Sequence, residues 1–415
     1  MRKRFSLLSA LAAAAMFLCP CAADEDNTVL QGTASEEPEL DIKTSGDYKY
    51  VELTNAEDSS IKAACIEDYL GTDVNLIIPE TIDGLDVVML GDQCICANRM
   101  AERIELPKTL QALGEFTFAE CTGLKEFAVS PDNPYFEAED GILYTEDKTA
   151  LLRYPAGKET ESYTIPDTVT TLGNVAFAYN KMKSVKLPDS LTTLGKMSFS
   201  DCTGLTEITV PVQVETIPEY CFYRCKNLKK ADLNNNITSI GFAAFACTAL
   251  ESIDLPTALV KIGECAFVDT KMKSVTISSK VTDIGYSAFG FRLAADQSLV
   301  KGDGFTIRGV AGSAAEKYTK EEENAGAATF EAINQPQTTD APSETTVSPA
   351  EPVEKGLSAF RTVGIIICCC LLVLIAVIAV VSGKKRGKKA QEDETPAESI
   401  VPAEPEDGSA EEENE

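Results

Sequence analysis

The chain has 415 residues and a formal net charge of −28, and it contains no histidine and no tryptophan. Without histidine it lacks Ser-His-Asp and Cys-His nucleophilic sites, His-based metalloprotease sites and mixed Cys/His zinc sites. The acidic charge disfavours nucleic acid as a partner, because that binding depends on neutralising phosphates. We therefore predict no catalytic, cofactor-binding or metal-binding residues and no nucleic-acid partner.

Residues 1–23 have the pattern of a secretory signal peptide. A basic start at 2–4 precedes an apolar core, and small residues lie before a predicted cleavage after Ala23. The alternative is a lipoprotein acylated at Cys19 or Cys21. It is disfavoured because a leucine and a proline precede these cysteines, where such a site needs a small residue.

A sequence motif recurs with a period of 22 or 23 residues between Val87 and Phe289. Each unit reads apolar-x-x-apolar-Gly, then a small residue before Phe, then Leu or Met, then an apolar-x-apolar triplet often followed by Pro. Triplets such as Ile208-Thr209-Val210 have strand periodicity, and the proline ends the strand because it lacks an N–H. A fixed period of this size is typical of a solenoid, in which each unit buries its apolar residues against its neighbours. The Phe position holds Ile95, Phe118, Phe177, Phe199, Phe222, Phe245, Phe267 and Phe289.

The spacing of the units predicts about eight coils with one insertion. The units begin at Val87, Leu110, Val169, Leu191, Val214, Ile237, Leu259 and Val281. The long step after the second unit places an insertion at 131–166. Within it, 141–144 and 150–154 flank a polar turn, which predicts a β-hairpin.

The predicted fold is a β-rich leucine-rich-repeat solenoid at 87–304, with a cap at each end. Residues 24–46 are predicted to be disordered, and 47–86 form the N-terminal cap, with strands at 48–53 and 76–78. The C-terminal cap is 305–333. There, Ser313 and Glu316 have the spacing of a capping box that opens a short helix, and 330–333 adds a last strand.

The repeats resemble the BspA-like subfamily of leucine-rich-repeat proteins, which is known from microbial cell surfaces. The resemblance covers about 47–333 and includes the opening segment 71–84, the repeats and the terminal segment 312–318. It implies a solenoid fold and a role as an adhesin or another surface protein. It does not imply a particular ligand.

The C-terminal part of the chain predicts a stalk, one membrane span and a tail. Residues 334–362 are rich in Pro, Thr, Ser and Glu, which is typical of a disordered stalk. Val363 to Val381 is an uncharged run long enough to cross a bilayer core of about 30 Å. The basic cluster that follows marks the cytoplasmic side, so 382–415 is a basic, then acidic, cytoplasmic tail. This topology places the repeats outside the cell on a single-pass cell-membrane protein.

The cysteines of the repeat region follow the repeat phase. Cys121, Cys202, Cys225 and Cys247 all lie three residues before the Leu of their unit. A repeat-phased cysteine is most simply a small buried core residue. Stacked cysteines in neighbouring coils lie within disulfide reach, but their side chains point in parallel, which favours free thiols.

Two surfaces of the predicted solenoid are candidates for ligand binding. The solvent-facing row at the middle of successive strands is small and mixed in charge, with no aromatic residue. It contains Glu105, Ala128, Lys186, Thr209, Asp232, Asp254 and Thr276. The insertion is the better candidate because it holds the densest aromatic group, although it also reads as scaffold packed on a neighbouring coil. Its predicted ligand contacts are Tyr135, Phe136, Tyr144 and Tyr154.

The pattern therefore favours a membrane-anchored, non-catalytic extracellular protein that mediates protein or cell-surface contact in the manner of an adhesin. The alternative is an envelope-resident scaffold or receptor subunit that docks intracellular partners through its acidic tail. Residues 391–415 carry 11 acidic residues and no basic ones. A third hypothesis, a hydrolase, requires a cluster of carboxylates in a cleft.

Overall fold

The computed structural model describes residues 41–54 and 60–333. The predicted signal peptide, stalk and tail lie outside these residues. So does the predicted membrane span from Val363 to Val381. Within the described residues, no helix has the length and apolar character needed to cross a bilayer.

The described residues form short strands and one helix, α1 (Ala314–Lys320). The strands are β1 (Lys43–Ser45), β2 (Tyr48–Thr54), β3 (Lys62–Tyr69), β4 (Asn75–Ile77), β5 (Thr81–Ile82), β6 (Leu85–Leu90), β7 (Arg103–Leu106), β8 (Ala112–Leu113), β9 (Glu126–Val129), β10 (Phe136–Glu139), β11 (Ile142–Thr145), β12 (Ala150–Arg153), β13 (Ser162–Thr164), β14 (Thr171–Leu172), β15 (Ser184–Lys186), β16 (Glu207–Thr209), β17 (Thr216–Ile217), β18 (Lys230–Asp232), β19 (Ser239–Ile240), β20 (Lys261–Ile262), β21 (Ser274–Ile277), β22 (Asp283–Ile284), β23 (Phe291–Leu293), β24 (Leu299–Lys301), β25 (Phe305–Gly309) and β26 (Ala328–Ala332).

Most coils contribute one strand that pairs in parallel with a strand of the neighbouring coil, and we call the surface formed by these strands the strand face. β7 pairs with β4 and β9, β15 with β13, β18 with β16, and β25 with β21 and β26. The predicted alternation is confirmed in β16, where Ile208 is buried and Thr209 is exposed. Ile253 and Leu255 keep the inward positions without forming a strand. The ladder also extends past the predicted limits 87–304, because β4, β25 and β26 belong to it.

A second hydrogen-bonded row follows the turn around most Phe positions, and we call this row the ridge. The residues two before and two after Phe199, Met197 and Asp201, both have a φ of 55°. The N–H groups of these three residues donate to carbonyls of the next coil over 2.8 to 3.1 Å. A left-handed residue other than glycine costs roughly 1–2 kcal/mol. The bonds to the neighbouring coil offset that cost, so the ridge depends on stacking.

The core of the rod is a column of stacked rings. From Phe177 to Phe289, successive rings of the Phe position lie with centroids 4.9 to 5.4 Å apart and with interplanar angles of 4 to 16°. The predicted repeat phase is thereby confirmed. Each ring buries its two faces against the neighbouring coils, so no coil completes its core alone.

The interpretation of 131–166 as an insertion is wrong in part, because its second half is another coil in repeat phase. The predicted hairpin is present as antiparallel β11 and β12, and β12 then pairs in parallel with β14. Tyr154 occupies the Phe position. Its N–H donates to Ala176 O over 2.7 Å, and its ring stacks on Phe177 with centroids 5.2 Å apart. The pattern hid this coil because a tyrosine followed by Pro155 stands where other units have Phe. We call residues 142–166 the hairpin coil.

The two ends differ from the repeats. At the first end, β1, β2 and β3 form an antiparallel meander, and β3 pairs with β6. At the other end, the Tyr318 hydroxyl of α1 donates to Phe289 O and accepts from Phe289 N–H. The predicted capping box is not formed, because neither of its two bonds joins Ser313 and Glu316. Glu316 accepts from the Gly312 N–H over 2.6 Å, whereas the Ser313 hydroxyl makes no capping bond.

Candidate binding surface

The structure places three of the four predicted ligand contacts in the core. Phe136, Tyr144 and Tyr154 are 8%, 1% and 0% exposed, whereas Tyr135 is 46% exposed. The Tyr144 hydroxyl lies 2.6 Å from the Tyr163 hydroxyl, and the Tyr154 hydroxyl lies 2.7 Å from Thr160 Oγ1. These tyrosines are inward because they belong to a coil rather than to a projecting loop. Of the four, only Tyr135 is available on the folded rod.

The strand face presents the small, mixed row of side chains that its sequence predicts. Charges on this face pair with each other, as in Lys230–Asp232 at 2.6 Å and Arg308–Glu331 at 2.9 Å. Exposed pairs of this kind contribute about 0–1 kcal/mol each. The face therefore offers a solvated surface without an aromatic anchor.

The ridge carries an aromatic stripe that the sequence reasoning missed. Its members lie two or three residues before the Phe position or two after it, so they point away from the ring column. Tyr220 and Phe242 contact each other edge to face with centroids 5.1 Å apart, and Tyr286 packs against Phe291 at 5.7 Å. Tyr220 is buried, and the other members are half-buried. This ridge stripe consists of Phe116, Tyr179, Met197, Tyr220, Phe242 and Tyr286.

Charged side chains border the ridge stripe and form ion pairs that step from one coil to the next. Arg224 lies 3.1 Å from Asp201, and Lys196 lies 3.0 Å from Glu219. Burial raises the pKa of Asp201, with the nearby Arg224 acting in the opposite direction. Burial likewise raises the pKa of Tyr179, which keeps that phenol protonated. An apolar aromatic centre with a charged rim is the usual anatomy of a protein interface.

The repeat-phased cysteines have an interior role in the structure. The thiols of Cys121, Cys202 and Cys225 donate to carbonyls of the Phe position of the preceding coil. The distances are 3.0, 3.1 and 3.0 Å. All three are free thiols, as the parallel side chains of a stack predict. Each stack position therefore adds a hydrogen bond as well as packing.

Cys247 is an exception to the predicted cysteine stack. Its unit has one residue fewer between the Phe and the Leu, so Thr248 takes the interior position. The Thr248 hydroxyl donates to Phe245 O over 2.8 Å. Cys247 lies instead at a left-handed position of the ridge, with a φ of 59°.

We expect the buried thiols to resist labelling in the folded protein. Burial raises the pKa of Cys121 to about 11 and that of Cys221 to about 12. At pH 8, labelling of these two cysteines by a disulfide reagent should be about 100-fold slower than in urea. The pKa of each thiol is higher in the folded protein than in the unfolded chain, where it is about 9. The contribution of these protonated thiols to the free energy of unfolding is therefore complete below about pH 9, and it is lost as the pH rises through 11–12. Peptide mass spectrometry checks this, and equal rates in buffer and urea would contradict it.

An open depression of about 470 Å³ lies beside the hairpin coil. Glu102 and Glu161 line it, and each forms an ion pair with a lysine at 2.7 Å. Lys183 lowers the pKa of Glu161, whereas a glycosidase acid needs a raised one. Among residues 41–54 and 60–333, no three Cys, Asp or Glu side chains are placed to hold a metal ion.

The parallel strand face, the ring column and the ridge define a leucine-rich-repeat solenoid. A family model described as "BspA type Leucine rich repeat region" matches six copies at 75–139 and 157–292. The repeats of this chain belong to this family. The gap between the two matched ranges contains β11 and β12 of the hairpin coil.

The chain is similar to solved structures of bacterial proteins. A leucine-rich repeat protein from Eubacterium ventriosum has 23% identity and a TM-score of 0.35, over 48% of this chain and 65% of that one. The pneumococcal vaccine antigen PcpA has 17% identity and a TM-score of 0.40, over 71% and 98%. A leucine-rich repeat protein from Bacteroides ovatus has 22% identity and a TM-score of 0.38, over 64% and 70%. The match thus covers less than two thirds of the Eubacterium protein. No curated protein matches the chain.

Proposed function

We propose that this chain is a membrane-anchored extracellular protein whose rod binds a protein ligand through the ridge stripe. The observation that carries the proposal is the run of aromatic and methionine side chains on successive coils of one ridge, bordered by charged pairs. Aromatic residues and arginine dominate the binding energy of protein interfaces. The strand face, by contrast, has small and paired side chains.

The membrane placement rests on the sequence of the two termini. A signal peptide at 1–23 directs export, and the uncharged run from Val363 to Val381 followed by a basic cluster supports a single-pass anchor. A flexible chain as long as the predicted stalk at 334–362 would have a root-mean-square span of about 30 Å. The rod therefore works near the membrane surface rather than far from it.

The experiment is a binding screen of residues 24–333 and a paired ridge variant. The probes are purified matrix proteins, epithelial cells and envelope fractions of the producing organism. The variant replaces Phe242 and Tyr286 with serine, and we expect it to weaken saturable binding by at least about tenfold, because each ring is an interface anchor.

A matched control replaces two exposed apolar residues outside the ridge stripe, Val212 and Val260, which are 58% and 44% exposed. It removes two apolar side chains from the rod and should leave binding unchanged. Equal losses in both variants, or none in the ridge variant, would contradict the ridge as the binding surface. The melting temperature of each variant separates lost binding from lost folding.

The acidic segment 391–415 supports the second function, a scaffold or receptor subunit that docks an intracellular partner. Its 11 acidic residues without a basic one suit a basic protein surface. Deleting 391–415 distinguishes the two functions. Loss of an intracellular partner with unaltered extracellular binding assigns the docking role to the tail.

A further inference from the structure

The hydrogen-bonded ridge is interrupted at the hairpin coil, which keeps the bond from the Tyr154 N–H to Ala176 O. On the far side, the N–H groups of Val175, Phe177 and Tyr179 donate to the next coil over 2.7 to 2.9 Å. The corresponding N–H groups on the near side are those of Phe116, Phe118 and Glu120. None of the three donates to a backbone carbonyl in the part of the chain that the structure describes.

The hydrophobic core divides at the same point. Leu143 of β11 packs in the cluster that contains Phe118, whereas its neighbours Ile142 and Tyr144 pack in the cluster that contains Phe177. The Phe118 ring contacts Phe127 edge to face, with centroids 5.0 Å apart. It belongs to a different cluster from the rings that continue from Tyr154 toward the C-terminal end.

A buried arginine occupies the boundary between the two clusters. Arg153 directly precedes Tyr154, at the position where other units have a small residue such as Thr117 or Ala176. It is 2% exposed, and its Nη2 donates to Phe118 O over 2.9 Å. Its Nε and Nη1 have no partner among the described residues, and no carboxylate there pairs with it. A buried charge without a counter-charge weakens the packing around it.

The strand side of the boundary remains connected. The Phe127 N–H donates to Gly141 O over 2.8 Å, and the Gly157 N–H donates to Leu124 O over 2.7 Å. On the ridge side, apolar contacts join Phe116 and Ala119 to Val175 and Ala178. The antiparallel pairing of β10 with β11 also crosses the boundary. The boundary is thus tied by these backbone bonds and by side-chain packing at the ridge.

We propose that this boundary is a joint, at which the described rod divides into two cooperative units, 41–141 and 142–333. Solenoid stability is the sum of terms for each repeat and for each interface between neighbours, so one weak interface uncouples the repeats on its two sides. The joint opens at the ridge and hinges at the strand face. The unit before the joint has the smaller core cluster and opens first.

Hydrogen exchange of the full-length chain in detergent micelles, at increasing urea concentrations, tests the joint. We expect amides of β7 and β9 to exchange at least about tenfold faster than those of β16 and β18, and to lose protection at lower urea. A common urea dependence on both sides of the boundary would overturn the proposal. This measurement needs no variant.

Replacing Arg153 with methionine tests the cause. Methionine has a similar length without the charge, so the interface should tighten. The difference in exchange between the two units should then fall to less than about threefold. The matched control is Arg292→Met, at an exposed arginine away from the boundary, and it should leave the difference unchanged. An unchanged difference in Arg153→Met would show that the buried guanidinium does not create the joint.

Discussion

Replacing Tyr154 with alanine is expected to lower the free energy of unfolding by about 3–5 kcal/mol. Its ring stacks on Phe177 and contacts Tyr163 edge to face with centroids 4.9 Å apart. The substitution leaves a cavity between two coils and removes the hydroxyl partner of Thr160. Urea denaturation followed by circular dichroism measures the loss.

The matched control lies in the same stretch of sequence. Tyr135 is 46% exposed, so Tyr135→Ala should change the free energy of unfolding by less than about 0.5 kcal/mol. If both tyrosines lay on a ligand-binding loop, the stability of the protein would tolerate substitution of either one. Equal small effects would therefore contradict the placement of Tyr154 in the ring column.

Replacing Gly204 with alanine is expected to lower the free energy of unfolding by about 3 kcal/mol, because two coils approach each other closely at this residue. A Cβ placed there would overlap the carbonyl oxygen of Lys181 and would lie 2.6 Å from that of Met182. Backbone atoms do not rotate away as a side chain does, so the coils must separate. The midpoint of urea denaturation reports the cost.

Gly46 provides the comparison for the effect of backbone conformation alone. It has a φ of 55°, and a Cβ there would meet no atom within 4 Å. Gly46→Ala should therefore cost only about 1 kcal/mol, the penalty of a left-handed alanine. A Gly204→Ala variant no less stable than Gly46→Ala would show that the coils tolerate separation.

The repeat phase predicted the parts of the fold that depend on inward-facing positions. The rings from Phe177 to Phe289 form one column, and the triplet around Thr209 alternates as expected. These features follow from periodicity, because every unit must bury the same slots. The hairpin coil was not recognised because Tyr154 and Pro155 interrupt the sequence motif, although the Tyr154 N–H keeps the bond of the Phe position to the next coil.

The repeat pattern did not predict that the ridge would be a surface with outward-facing aromatic side chains. Its left-handed positions are held by residues as different as Val175, Met197 and Arg224, with φ values of 54 to 57°. No local preference of these side chains selects that conformation, which the hydrogen bonds to the next coil impose. The one available signal was a second aromatic residue two or three positions before the Phe, as in Phe242 and Tyr286. This spacing distinguishes the aromatic residue of the ridge, which points outward, from the Phe of the ring column, which points inward.

From Phe177 to Phe267, the ring column and the ridge both join each coil to its immediate neighbours, which has a consequence for the evolution of the rod. A duplication or loss of one whole 23-residue unit, such as 214–236, would bring together chain ends that are already in phase. A ring would again stack on a ring, and each ridge N–H would again meet a carbonyl. The rod can therefore change in length by integral units, whereas gain or loss of a fraction of a unit would disrupt both rows.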